Sequence, residues 1–291
     1  MKKSKVKQMK ILKAIWKLTR FEHALMLAFA VFVGATIAQN KIPIFDQTLL
    51  LALLVPIFSE MGSFALNDIL DVETDRKNGF SKRPLVSGEI SIGLAWAIAI
   101  SGFAISTLLA LLLGPIPLGI LVVFNLFAIL YNYKLKDLPL LGNIYIGTTM
   151  AIPFIFGNFS YSVELNQINM FVALLGFLAG VAREIIKSTE DMEGDKTIRN
   201  SKTLPILIGE KNAIRISIFI YLITCFLAVL PFFAGLEANL FSIGLLGICE
   251  LILMYIIYLL LKKEKNYRKA RNLSLIAFGF GMIGILLGIV L

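Results

Sequence analysis

The chain has 291 residues, of which 58% are hydrophobic and only 16% charged, and apolar runs of about 20 residues, the length a bilayer requires, recur along it. A soluble globular domain is therefore excluded. The net charge of +9 would suit nucleic acid, but in a membrane chain the position of the basic residues relative to the bilayer decides what they mean.

Residues 1–20 carry eight Lys and Arg and no acid. The apolar segment that follows is too long for a signal-peptide core and is succeeded by many more, so it reads as an uncleaved first span. Apolar spans are expected at about 21–38, 48–66, 91–113, 116–133, 142–160, 168–186, 212–234, 239–261 and 272–291. The expected fold class is all-α, a polytopic membrane protein with nine transmembrane helices. With the N-terminus cytoplasmic, 27 of the 28 Lys and Arg fall on cytoplasmic segments and Lys41 alone lies outside. The positive-inside rule then places the C-terminus outside in a multi-pass cell-membrane protein. Topology and anionic membrane lipid account for the positive charge, and no nucleic-acid partner is needed.

Between the second and third spans lies NDILDVETDRKNGFSKRP, residues 67–84. If the second span continues as a helix through it, Asn67, Asp71 and Asp75 repeat at i, i+4, i+8 on one face. Asp68 falls on the same side and Glu73 points away, at about 240° from Asn67. Glu60, one or two turns deeper, shares the face, and an intramembrane carboxylate facing a cavity is a functional candidate or else a hydrogen-bonded packing residue. Clustered carboxylates repel one another and become tolerable around a hard divalent cation, Mg²⁺ with substrate phosphates being the natural case. Arg76, Lys77, Lys82 and Arg83 follow the ridge and can bind phosphate oxygens or only set topology.

A third cytoplasmic stretch, YNYKLKDLPLLGN, carries Tyr131, Tyr133, Lys134 and Lys136. The other long cytoplasmic connection reads REIIKSTEDMEGDKTIRNSKTLPILIGE. On a wheel starting at Glu184, Asp191 and Asp195 lie within about 20° of it and Lys187 about 60° away. Lys196, Arg199 and Lys202 follow. Gly194 and Pro205 turn the chain where it leaves the membrane. Two acidic ridges at equivalent places suggest a degenerate repeat: one domain over 1–291 made of halves at about 1–140 and 141–291. A diphosphate shared through Mg²⁺ would neutralise both ridges.

The remaining polar residues within spans carry less. Cys225 and Cys249 lie in apolar runs and suggest neither a disulfide nor a thiolate site. His23, the single histidine, reads as interfacial, Glu250 as a packing residue, and Gly279, Gly281, Gly284 and Gly288 as a close-packing stripe.

NDILDVETDR with its following KRP, and EDMEGD followed by TLP, resemble the motifs of the UbiA superfamily of intramembrane prenyltransferases, and the resemblance covers nearly the whole chain. It implies nine helices around a cavity, an isoprenyl diphosphate donor held through Mg²⁺, and a lipid-accessible tunnel for the prenyl tail. Carried over, it implies catalytic roles for Asn67, Asp71, Asp75, Asp191, Asp195, Tyr131 and Lys134, with Asp71, Asp75, Asp191 and Asp195 on the metal. Substrate contacts are expected from Arg20, Glu60, Asp68, Arg76, Lys82, Arg83, Lys136, Lys187 and Lys202. The sequence departs from the family at Arg20–His23, where many members have Pro and Asn after the arginine. RFEH resembles members acting on aromatic acceptors of the 4-hydroxybenzoate or naphthoate type. REIIKSTEDMEGD resembles members that add a second geranylgeranyl chain to a phosphorylated glycerol ether in archaeal lipid synthesis. The second likeness is preferred, because Lys187 offers a cation to an acceptor's own phosphate. The rivals are a cation or organic-anion transporter, whose charges belong nearer the bilayer midplane, and a CDP-alcohol phosphotransferase, whose signature is absent.

Overall fold

A computed structural model describes residues 2–77, 79–199 and 201–291, with the side chains of 2–8, 198 and 199 outside the description. The described residues are helical or in connecting turns, with no strand among them. In chain order the helices are α1 (Lys2–Thr19), α2 (Phe21–Gln39), α3 (Gln47–Lys77), α4 (Ile92–Leu113), α5 (Pro115–Tyr133), α6 (Leu141–Phe159) and α7 (Gln167–Glu190). A short turn α8 (Met192–Gly194), the five-residue α9 (Leu204–Ile208), α10 (Glu210–Leu227), the four-residue α11 (Leu230–Phe233), α12 (Leu240–Leu261) and α13 (Tyr267–Val290) complete it.

Local chemistry explains most boundaries. Ser91, Asn166, Asn239 and Asn266 cap α4, α7, α12 and α13 by accepting from backbone N–H groups, the role for which short polar side chains are favoured. Pro115 opens α5 at a position where its missing N–H costs nothing. A turn after α10 separates it from α11, in whose first turn Pro231 sits, and the two pieces together form the expected span, Glu210–Phe233.

The chain is a multi-pass membrane protein, and among the described residues eight helical segments are long and apolar enough to cross a bilayer. Leu141–Phe159 is not among them. It is helical over 19 residues, but Asn143, Thr148, Thr149, Pro153 and Asn158 dilute its apolar content. The basic N-terminal segment, which carries no apolar run to announce it, is helical over Lys2–Thr19.

The residues divide into two compact units. One comprises Met1–Phe29 and Asp46–Leu135. Its core joins Ala14 and Leu18 of α1, Leu66 and Ile69 of α3, Leu85 and Ile90 of the following loop, and Ala95 and Ala99 of α4. The other comprises Ala30–Phe45 and Lys136–Leu291, with a core that includes Ile186, Tyr221, Ile256 and Ala277.

Glycines permit backbone-to-backbone approach within each unit. A Cβ on Gly102 of α4 would lie 2.7 Å from the Phe58 carbonyl of α3, and one on Gly157 of α6 only 2.1 Å from the Val31 carbonyl of α2. Beside Gly157, the Asn169 amide donates to the Gly34 carbonyl at 2.9 Å and to Asn158 Oδ1 at 3.0 Å, joining α2, α6 and α7. The expected stripe on α13 is partly corrected: Gly284 and Gly288 meet Leu246 and Leu236, whereas a Cβ on Gly279 would meet nothing within 4 Å.

Gly157→Ala should therefore lower stability by about 1–3 kcal/mol through overpacking. Gly119→Ala, in open space on α5, should not. Thermal unfolding of the purified protein in detergent checks both, and equal midpoints would show that the α2–α6 approach tolerates a methyl group.

Candidate active site

α3 runs unbroken through the first motif. Its 31 residues span about 46 Å at 1.5 Å per residue, against roughly 30 Å of hydrocarbon, so about ten residues extend beyond the apolar zone. Those residues carry Asn67–Lys77. Asp68, Asp71 and Asp75 are 3%, 5% and 1% exposed, so the ridge is packed inside its unit and is not a solvated helix end. Glu73, on the opposite side, is exposed and pairs with Arg76 at 2.8 Å.

Buried carboxylates need partners, and two arginines provide them. Arg83 donates to Asp75 and also lies 3.3 Å from Asp68. Arg20 donates to Asp68 at 3.2 Å while its guanidinium lies 4.3 Å from the centre of the Phe64 ring. The loop after α3 explains why Arg83 and not its neighbour is chosen. The Phe80 amide closes back on the Asp75 carbonyl at 3.0 Å, and Leu85 and Ile90 sink into the core. Arg83 is thereby turned towards the ridge, and Lys82 is left exposed.

Arg20 has φ 44°, a left-handed conformation unusual for a non-glycine residue, in the single-residue turn between α1 and α2. Glu60 is half-buried on α3 and interacts electrostatically with Arg20. Asn67, also half-buried, lies 3.5 Å from Asp68 through its amide.

Two residues within this unit gave a sequence signal that the motif reading did not use. Asn125 and Asn132, seven apart on α5 and both buried, face α3. Ser59 donates to Asn125 Oδ1 at 2.6 Å, and Asn132 donates to the Ser63 and Ala128 carbonyls. Asn132 Oδ1 is buried without a hydrogen-bond partner. Two asparagines at i, i+7 in an apolar run mark a polar stripe on one helix face. Next to it, Tyr131 is half-buried and Lys134 is exposed, with the Lys134 amide closing α5 on Leu130.

In the second unit the helix carrying the other motif does not continue as the wheel assumed. α7 ends at Glu190, and Asp191 is its capping residue with φ −89° and ψ 1°. The following turns pass from α8 into a π turn over Asp195–Arg199. The acids of this motif lie at the negative pole of α7, and the wider π turn and Gly194, a poor helix former, take the chain off the α7 register. Asp191 is exposed and Asp195 half-buried.

The end of α7 is held by ion pairs. Lys187 meets the buried Glu184 at 3.0 Å, and Arg271 of α13 reaches Glu190 at 3.4 Å. Asn143 of α6 donates to Ser188 at 3.3 Å. Asp137, unremarked in the sequence, fastens the loop beyond the motif: Ser201 donates to its carboxylate at 2.7 Å and the Lys202 amide to its carbonyl at 3.0 Å. Lys136 is half-buried, and Lys196 and Lys202 are exposed. The Arg199 side chain lies outside the described residues.

The donor set suits Mg²⁺. It is carboxylate oxygen throughout, and among the described residues no three His, Cys, Asp or Glu side chains converge to hold an ion by themselves. Mg²⁺ characteristically takes one or two carboxylates and completes its shell with water and substrate phosphates. Arg20 and Arg83 leave the three aspartates of α3 with one negative charge unbalanced, and a diphosphate adds more. Further cations are needed for the two to coexist.

Residues 27–288 match the model of the UbiA prenyltransferase family. The chain belongs to that family. It is 35% identical to digeranylgeranylglyceryl phosphate synthase of Archaeoglobus fulgidus, over 95% of each chain. Among solved structures it is similar to one described as giving structural and mechanistic insights into digeranylgeranylglyceryl phosphate synthase in membranes. That likeness has a TM-score of 0.77 and 28% identity, and covers 96% of this chain and 99% of the other. A UbiA homolog from Archaeoglobus fulgidus bound to GPP and Mg²⁺ shares the fold, with a TM-score of 0.68 and 22% identity over 94% and 99% of the two chains. Family membership sets aside the transporter and CDP-alcohol phosphotransferase readings.

Arg83→Ala should leave Asp68 and Asp75 short of a cation and cost about 1–3 kcal/mol. Arg83→Lys should recover only part: both carboxylate contacts come from the single Nη1, which an ammonium can replace, but the guanidinium's place 5.4 Å from the Phe80 ring centre is lost. Unfolding midpoints with and without millimolar Mg²⁺ check this, with Mg²⁺ expected to stabilise Arg83→Ala more than the unsubstituted protein. Identical midpoints would remove Arg83 from the neutralising role.

Proposed function

We infer that this protein transfers a geranylgeranyl group from geranylgeranyl diphosphate, with Mg²⁺, to the hydroxyl of geranylgeranylglyceryl phosphate. The observation that carries the reading is the buried cluster of Asp68, Asp71 and Asp75 with Arg20 and Arg83, in a chain whose curated relatives are named for this synthase. The GPP and Mg²⁺ of the solved family member support the donor class and the metal.

Asp71, Asp75, Asp191 and Asp195 are the residues proposed to hold the metal, with Asn67 completing the first motif. Bound Mg²⁺ supplies positive charge that the diphosphate needs as it departs. Arg20 and Arg83, with Lys82, Lys136 and Lys202, supply donors to phosphate oxygens, the arginines by forked contacts and the lysines as point charges. Arg76 contributes to the local field from its exposed pair with Glu73. The allylic C–O bond breaks with its electrons leaving on the diphosphate. The acceptor hydroxyl oxygen then bonds to the allylic carbon and its proton passes to the released diphosphate. Fixed charges around the leaving group provide the acceleration. Tyr131 and Lys134 cover the reacting allyl group against water, which would otherwise capture the cation. Glu60 and Asp68 position this first-motif face, Asp68 through Arg20.

The acceptor assignment is supported by Lys187. Half-buried and only partly occupied by Glu184, it retains N–H donors for the phosphate of the acceptor. An aromatic acceptor, the reading suggested by RFEH, draws less support, because Arg20 of that turn is engaged with Asp68 and Phe64. The cytoplasmic placement of the N-terminus and of the acidic motifs, the external C-terminus, the nine-span count with Leu141–Phe159 included, the central cavity, and the single domain of two degenerate halves belong to the same proposal.

Asp71→Ala or Asp191→Ala should lower prenyl transfer by at least about a hundredfold, the scale on which removing one transition-state charge contact acts. The protein should still elute as folded on size exclusion. Full activity in either variant would sink the assignment. Lys187→Ala should raise KM for the phosphorylated acceptor about tenfold or more, corresponding to about 1.4 kcal/mol, with little change in KM for the donor. An equal rise for both substrates would place Lys187 elsewhere.

A further inference from the structure

α1 presents three faces along its described residues. Ala14 and Leu18, 1% and 0% exposed, pack against Leu66 and Ile69 of α3. Met9, Leu12 and Trp16, at i, i+3, i+7, form a second stripe that is 56%, 64% and 49% exposed. Lys10, Lys13 and Lys17 lie between the two, within about 60° of one another on the wheel, and all are exposed. Glu89, 4.0 Å from Lys17, is the acid paired with this cationic row.

The helix packs against α3 at Leu66 and Ile69, where the apolar part of α3 gives way to the acidic motif. An exposed apolar stripe bordered by lysines, with a tryptophan, is the composition of a helix lying in the plane of a membrane surface. The turn at its end is tightly built: the Trp16 and Phe21 rings meet at 4.6 Å across it. Arg20, between them, is the residue that holds Asp68.

We propose that the Met9, Leu12 and Trp16 face of α1, with Lys10, Lys13 and Lys17, is an interfacial binding surface for anionic lipid headgroups of the bilayer. The apolar stripe enters the acyl boundary and the lysines meet headgroup phosphates, giving attraction that depends on lipid charge and falls with salt. This inference is independent of the reaction assigned above, and its test uses no prenyl substrate.

The chain has two tryptophans, so Trp96→Phe leaves Trp16 as the sole reporter. The full-length variant is placed in nanodiscs of phosphatidylcholine that contain, at equal mole fraction, either brominated phosphatidylcholine or brominated phosphatidylglycerol. The expected result is that the brominated anionic lipid quenches Trp16 at least about twofold more than the neutral one, with the excess lost near 1 M salt. The excess should also be lost in Lys10→Gln/Lys13→Gln/Lys17→Gln, whose folding is checked by circular dichroism. The comparison of lipids and the salt series stand without that triple variant. Absence of quenching by either lipid would overturn the proposal by placing Trp16 in water or against another protein. Equal quenching by both would overturn it by showing apolar contact without headgroup selection.

Discussion

The arginine clamp on α3 is the interaction from which the rest of the site follows. Three carboxylates on one helix face cannot be buried as bare charges. Arg83 bridging Asp68 and Asp75, with Arg20 on Asp68, is what allows the first motif to be packed inside its unit. The clamp also fixes two pieces of chain that would otherwise be free to wander. The loop after α3 must fold back to deliver Arg83, and the turn between α1 and α2 must adopt a left-handed residue to deliver Arg20. Both costs are met by burial of Leu85, Ile90, Ala14 and Leu18 in one hydrophobic core.

The second motif is built on a different principle. It lies past the end of a helix, and its geometry is set by contacts that hold that end: Glu184 with Lys187, Glu190 with Arg271, and the loop beyond fastened to Asp137. Asp191 and Asp195 are correspondingly more open than Asp71 and Asp75. The first acidic face is preorganised by its arginines, whereas the second acidic turn stays open.

The sequence made much of this legible where periodicity and charge coincide. The continuation of α3 through Asp75, the outward direction of Glu73 and the helical character of the spans all follow from spacing alone. Other features depend on tertiary partners that spacing does not specify. Lys82 and Arg83 are adjacent cations, and only the anchoring of Leu85 and Ile90 decides that the arginine faces the ridge. Asp191 falls on a helical wheel that α7 leaves one residue earlier, and the turns that follow, α8 and the π turn over Asp195–Arg199, depart from its register. Asp137 stands in a short turn with no motif around it. Asn125 and Asn132 were visible as polar residues in an apolar run, but their partners Ser59 and Ser63 come from another helix.

The acceptor distinguishes ether-lipid synthesis from aromatic prenylation most directly. Purified protein supplied with Mg²⁺ and labelled geranylgeranyl diphosphate should be offered geranylgeranylglyceryl phosphate, its dephosphorylated alcohol, 4-hydroxybenzoate and a naphthoate. The expected result is labelled product with the phosphorylated ether, little with the alcohol and none with the aromatic acids. Preferential labelling of an aromatic acid would contradict the assignment.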